Sequence, residues 1–134
     1  MPDVQRQVSL SDLRILVVED EALVTMLLQD TLEEMGCKQV TVAMWPDEAL
    51  DLINQATFDV AVLDLNLNGE ESYSVADELL RRGIPYFFST GYDPKVLPAI
   101  HASRPLLRKP YCQADLITVL GKLLPEVQSA GNVP

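Results

Sequence analysis

Histidine and cysteine are scarce in this sequence: one histidine, His101, and two cysteines, Cys37 and Cys112, among 134 residues. The cysteines are far apart and form no C-x-x-C pattern, so the chain carries no zinc constellation, and both read as reduced structural thiols. Basic residues are few as well. Ten Lys and Arg stand against twenty Asp and Glu, a formal net charge of −10. Binding to a phosphate backbone needs a Lys/Arg footprint, so neither nucleic acid nor an anionic membrane surface is an expected partner. No apolar run is long enough to cross a bilayer, and no charged-then-apolar leader opens the chain. The expected location is the cytoplasm. Repeats and low-complexity segments are also missing.

What is present suits a single soluble domain. Apolar residues make up 48% and charged residues 22%, ordinary values for a globular chain long enough for one core. Residues 1–11 lack periodicity and read as a flexible tail, as do residues 125–134, which leaves a domain at 12–124. Within it strand and helix alternate. Leu13–Val18 is a short apolar strand that ends in Glu19-Asp20-Glu21. Ala22–Met35 has helical spacing at Leu23, Leu27, Leu28, Thr31, Leu32 and Met35, and Gly36 stops it. Gln39–Ala43 alternates as a more exposed strand. Pro46 opens a helix to Gln55. Val60–Leu63 is a run of four apolar residues closed by Asp64, the pattern of a strand buried on both faces. A third helix is expected over 72–82, a fourth strand over 84–89, a short fifth strand over 105–107 and a last helix over 113–124. Residues 90–103 give no clear pattern. Strict alternation predicts an α/β fold: a flavodoxin-like, doubly wound, five-stranded parallel sheet of order 2-1-3-4-5 with helices on both faces.

That order brings chemistry to one rim. Strands one and three are neighbours, so Glu19, Asp20 and Asp64 meet at their C-terminal ends, where open α/β sheets place ligands. Lys109 reaches in from the end of strand five. Crowded carboxylates repel and would take up protons unless a cation holds them ionised. Oxygen donors alone suit Mg²⁺ better than zinc. Beside such an ion and an ammonium, Asp64 can attack a phosphoryl group and become an acyl phosphate. Thr90 or Ser89, at the end of strand four, would supply a hydroxyl that senses it.

These pieces together resemble a response-regulator receiver domain of two-component signalling. The resemblance runs from Asp12 to Leu124. It rests on Leu16-Val17-Val18-Glu19-Asp20-Glu21, the Asp64 strand, Thr90 and Lys109-Pro110, in that order at successive strand ends. It implies that Asp64 is phosphorylated, that Asp20 is the direct metal carboxylate and that Glu19 acts through a metal-bound water. The carbonyl of Asn66 would complete the Mg²⁺ ligands, Thr90 would be the switch hydroxyl, and Lys109 would hold the phosphoryl group. Lys109–Pro110 is expected to be cis, a form only X-Pro bonds adopt cheaply.

Two departures from the family pattern matter. The usual switch aromatic, three residues before the lysine, is here Leu106. The run Phe88-Ser89-Thr90-Gly91-Tyr92 resembles the Phe-Ala-Thr-Gly-Tyr signature of a receiver subgroup. Its members are often single-domain, are associated with sensor kinases of the HWE/HisKA2 type, and have a short or mobile fourth helix. Tyr92 is then the substitute aromatic, and the expected switch is a change of order over 90–103. The resemblance implies a sensor histidine kinase or phosphotransfer protein as partner, not an enzyme acting on a separate substrate, and an output by docking or by shuttling or draining phosphoryl groups. A receiver excised from a hybrid kinase and a pseudo-receiver that only binds protein stay open. A haloacid-dehalogenase-type phosphatase would need an acid at position 66, which is Asn66. A flavodoxin would need a phosphate loop where Glu19-Asp20-Glu21 stands. Elsewhere, His101 reads as solvated, Trp45 as packed at the mouth of the second helix, and Met26, Met35 and Met44 as core filler.

Overall fold

The five apolar segments form one parallel sheet in the computed structural model, which describes residues 8–67, 70–91, 97–109, 111–125 and 127–128. Its strands are β1 (Arg14–Val18), β2 (Gln39–Ala43), β3 (Val60–Asp64), β4 (Tyr86–Thr90) and β5 (Leu106–Arg108). The lateral order is β2-β1-β3-β4-β5, as the alternation predicts. Three helices connect the first four strands in turn, α1 (Ala22–Glu34), α2 (Pro46–Gln55) and α3 (Tyr73–Arg81), and α4 (Gln113–Leu123) follows β5.

Period-two alternation sorts the strand residues into two apolar layers. Ile15, Val17, Val60, Val62 and Phe87 face α1 and α4, where they meet Leu28, Leu32, Met35, Leu116 and Leu120. Leu16, Val18, Ala61, Leu63, Tyr86 and Phe88 face α2 and α3, where they meet Ala49, Ile53, Val75 and Leu79. Strands β3 and β4 are buried along their whole length, which explains the unbroken apolar run before Asp64. Helices α1 and α3 stop at Gly36 (φ 104°) and Gly83 (φ 72°), left-handed positions that glycine occupies without steric cost. At the start of α4, the Cys112 backbone N–H donates to Asp115 Oδ2 at 3.0 Å.

Several expectations are corrected. Residues 8–11, expected in a flexible tail, are structured: Val8–Ser9 pairs in parallel with Val127–Gln128, and a 3-10 turn at Leu10–Asp12 follows. Leu10 is the physical reason, since its side chain is buried in the α1/α4 layer. Residues 127–128 leave the other expected tail in the same ladder. His101 is not solvated but 1% exposed. It has polar partners that stand far away in sequence. Met35 is core as expected, but Met26, Met44 and Trp45 are exposed. Met26 lies on the outward side of α1, where Leu23 and Leu27 are exposed too. Met44 and Trp45 follow edge strand β2, which has a neighbour on one side only. Within 97–103 the structure forms only a 3-10 turn, Ala99–His101. Tyr92, Pro94 and Pro110, and with Pro110 the expected cis bond, lie outside the described residues. Among the described residues no helix is long and apolar enough to cross a membrane.

The two cysteines differ in a way that can be measured. Cys37 is buried, and burial pushes its thiol up to about 11, whereas Cys112 is exposed. Thiolate is the reactive form. A thiol reagent applied to the native protein is therefore expected to modify Cys112 alone, with Cys37 reacting only after unfolding. Equal labelling rates, followed by peptide mass spectrometry, would contradict that burial.

Candidate functional site

Each candidate site side chain among the described residues sits at, or just beyond, the C-terminal end of a strand. β1 and β3 are paired so that Val18 stands opposite Leu63, and the next residues along, Glu19 and Asp64, emerge together. The Glu19 backbone N–H donates to the Ala43 carbonyl at 2.9 Å, which ties the β1 exit to the end of β2. On the other side, the Leu65 N–H donates to the Ser89 carbonyl at 3.0 Å. The Lys109 N–H donates to the Thr90 carbonyl at 2.7 Å, which fixes the β5 exit beside the β4 exit.

Glu19, Asp20 and Asp64 each offer a carboxylate oxygen to one point, with all three atoms within 4.8 Å of one another. Glu19 and Asp64 are buried, at 2% and 5% exposure. Lys109 is their counter-ion. Its Nζ lies 2.8 Å from Glu19 Oε1, 3.1 Å from Asp64 Oδ2 and 3.3 Å from Glu21 Oε1. The other Asp64 oxygen accepts from the Asn66 backbone N–H at 3.2 Å, and Glu19 Oε2 accepts from the Glu21 N–H at 3.1 Å. Burial pushes Glu19 up to about 7; the bond from Lys109 opposes that shift and the Asp64 charge adds to it. Burial alone would lower the Lys109 ammonium, but Glu19 and Asp64 outweigh it and hold it above its usual value. The site therefore holds more negative charge than its one lysine balances. An all-oxygen donor set with that excess fits a hard divalent cation such as Mg²⁺ and not a soft or thiolate-seeking one.

Of the residues singled out from sequence, Glu19, Asp20, Asp64 and Lys109 are brought together. Asn66 reaches Asp64 through its backbone N–H. Thr90 is buried at the end of β4, next to Ser89, the ladder partner of Asp64. Leu106 stands opposite Phe88 in the β4–β5 ladder and packs, half-buried, on the α2/α3 layer. Sequence reasoning missed two contributors. Glu21, seen only as part of an acidic strand end, reaches Lys109. Tyr111, two residues after the lysine, is half-buried, with a buried hydroxyl that makes no hydrogen bond of ordinary geometry, and burial pushes it up to about 12. Its position after Lys109-Pro110 was the available signal. Tyr111 and Lys109 line a cavity of about 90 Å³ whose remaining wall includes Val24, Leu27 and Leu28 of α1 and Leu116 of α4.

A doubly wound parallel sheet whose first and third strands end in a carboxylate cluster, answered by a lysine after the fifth, defines a class of acid-rimmed α/β domain. The sequence matches the response regulator receiver domain family over residues 15–120, and the chain belongs to that family. Among solved structures it is similar to SdrG from Sphingomonas melonis Fr1, with 36% identity over 84% of this chain and 96% of that one and a TM-score of 0.75. It is also similar to the BeF3-activated conformation of SdrG, with 36% identity over 83% and 95% of the two chains and a TM-score of 0.72. The response regulator PhyR from Brucella abortus is 27% identical, with 90% of this chain and 49% of that one covered and a TM-score of 0.72. No curated protein matches the sequence.

Proposed function

We propose that residues 12–124 form a phosphoacceptor unit in which Asp64 takes a phosphoryl group from a phosphohistidine of a sensor kinase or phosphotransfer protein. The observation that carries this reading is Asp64 Oδ2 at 3.1 Å from Lys109 Nζ, inside the cluster with Glu19 and Asp20. An Asp64 oxygen attacks phosphorus in line. The new O–P bond forms as the P–N bond to the donor imidazole breaks, and the imidazole keeps the electron pair and is reprotonated. The Lys109 ammonium moves from carboxylate to phosphoryl oxygen, where it stabilises the charge of the transition state. The Thr90 hydroxyl then donates to another phosphoryl oxygen, a charge-assisted bond that ties the β4 exit to the modification. A Mg²⁺ ion held by Asp20, Asp64, the Asn66 carbonyl and, through water, Glu19 would neutralise the remaining charge on the phosphoryl oxygens.

The donor is read as a sensor kinase of the HWE/HisKA2 type, because Phe88-Ser89-Thr90-Gly91-Tyr92 resembles the signature of receivers associated with those kinases. The exposed Leu23, Met26 and Leu27 on α1, beside the acidic rim, suit contact with an apolar helical partner. Output by docking, shuttling or draining all follow from the same acyl phosphate. Acetyl phosphate with Mg²⁺ is expected to add one phosphoryl group, read by intact mass, and a chelator is expected to prevent it. Asp20→Asn is expected to weaken Mg²⁺ binding about tenfold or more in calorimetric titration, the scale of losing one charged ligand interaction. Unchanged Mg²⁺ affinity in that variant would remove Asp20 from the ligand set.

A further inference from the structure

Away from the acidic rim, the described residues hold one further buried titratable group with polar partners on two other elements. His101 is 1% exposed, although it lies on the three-residue turn Ala99–His101. A buried imidazole needs a partner at each ring nitrogen. Nδ1 is hydrogen-bonded to the Tyr86 hydroxyl on β4, and Nε2 lies 2.8 Å from Asp77 Oδ1 on α3. An ionised Asp77 can only accept, which pairs it with a protonated Nε2, the tautomer that leaves Nδ1 to accept from the Tyr86 hydroxyl. The ring stacks on Tyr73 at 6.1 Å and meets Tyr86 and Phe88 edge-on at 5.6 and 5.9 Å. Arg104 lies over the Tyr86 ring, 4.4 Å from its centre. One side chain thus joins the turn, α3 and β4.

The strand it grips is the one that ends in the site hydroxyl. Side chains on one face of a strand recur every second residue, so Tyr86, Phe88 and Thr90 form a row. Phe88 is the middle residue of that row, next to Thr90, and packs edge-on against the imidazole. Position 106, across the ladder from Phe88, holds a leucine. The histidine ring that packs on Phe88 therefore comes from the 99–101 turn and not from β5.

We infer that His101 is a positioning residue: it latches the 99–104 turn to β4 and α3 and makes that turn respond to the position of Thr90. The second half rests on the reading of Asp64 as phosphoacceptor. A shift at Thr90 moves Phe88 inside a packed group of four rings, and dense interiors exchange between discrete arrangements instead of deforming smoothly. The hydrogen bonds of His101 are where that group can part, since one of them ends on Asp77, whose side chain is 63% exposed. Release frees the turn together with Ile100, which is 61% exposed beside it.

Amide hydrogen exchange of residues 99–104 in the full chain tests this, with and without beryllofluoride and Mg²⁺. Fluorine NMR of the same samples reports whether the mimic is bound. In the wild type, bound mimic is expected to change protection of the turn. His101→Phe keeps a ring but neither hydrogen bond. It is expected to lower protection of the turn about tenfold or more without the mimic, the scale of two lost hydrogen bonds, and to erase the response to it. Asp77→Ala, at an exposed position, is expected to lower protection likewise, and Asp77→Asn, which still accepts from Nε2–H, to restore it. That surface pair carries the test should His101→Phe fail to fold. Unchanged protection in His101→Phe and Asp77→Ala overturns the latch. Unchanged protection in the wild type with fluoride bound overturns the coupling. Absence of bound fluoride counts against the phosphoacceptor reading instead, and the unliganded variants then decide the latch.

Discussion

Asp64→Asn is expected to abolish phosphoryl acceptance while leaving the fold in place. The amide has the volume of the carboxylate and can still accept the Asn66 N–H bond, so β3 keeps its local geometry. It has lost the anionic oxygen that, on the proposed reading, attacks phosphorus, and no neighbouring carboxylate is expected to substitute for it. Glu19 is held by Lys109 and by the Glu21 N–H. Stability is expected to be kept or raised, because removing one of three clustered negative charges relieves repulsion that the single lysine leaves uncompensated. Intact mass after acetyl phosphate treatment and a urea titration make the two measurements. Labelling equal to that of the wild type would reassign the acceptor.

Lys109→Ala is expected to have the second-largest effect, and on two quantities. The ammonium is the only cation among the described residues within ion-pair distance of Glu19 and Asp64. Removing one preorganised charge that stabilises transition-state oxygens typically costs about a hundredfold or more in rate, so phosphorylation is expected to slow by that order. Stability should fall as well. Stripping one partner from a buried ion pair costs about 3–5 kcal/mol when the other charge stays buried. Here the loss should be smaller, because Glu19, already pushed up to about 7, can take a proton instead of remaining a naked anion. Single-turnover labelling and urea unfolding read the two effects separately. A variant that labels at the wild-type rate would show that the lysine serves the fold alone.

The legibility of this molecule from sequence divides along the range of its interactions. The β3 strand was readable because burial on both faces forces a continuous apolar run, Val60–Leu63, and the carboxylate at its end then had one place to go. Lys109 and Glu19 were readable because strand alternation and crossover handedness fix which strand ends converge. The environment of His101 was not. Its partners stand 15 and 24 residues away, on β4 and α3, and nothing local marks Tyr86 or Asp77 as hydrogen-bonding residues. A lone histidine in a proline-punctuated segment looks solvated until the packing is known. The same holds for α1, where apolar residues at helical spacing outnumber those the sheet can cover. Leu28 and Leu32 go inward, while Leu23, Met26 and Leu27 stay outside. Residues 8–9 and 127–128 have no pattern of their own because each is a strand only through the other.

The lateral order of the sheet also bears on how the molecule assembles. β1 is an interior strand, yet it is the first strand of the main sheet along the chain, and its partner β3 enters only after β2 and α2 have intervened. The β1–β3 pairing therefore closes the longest chain loop of any adjacent pair in that sheet, and long closures are entropically costly before their contacts repay them. Glu19 and Asp64 sit at the end of that pairing. The acidic centre should consequently be among the last features to appear during refolding, and amide protons of Val17 and Leu63 should exchange only through global unfolding. A partly folded chain would then lack the cluster of Glu19, Asp20 and Asp64 altogether, so on the proposed reading any divalent-ion binding would report completed folding.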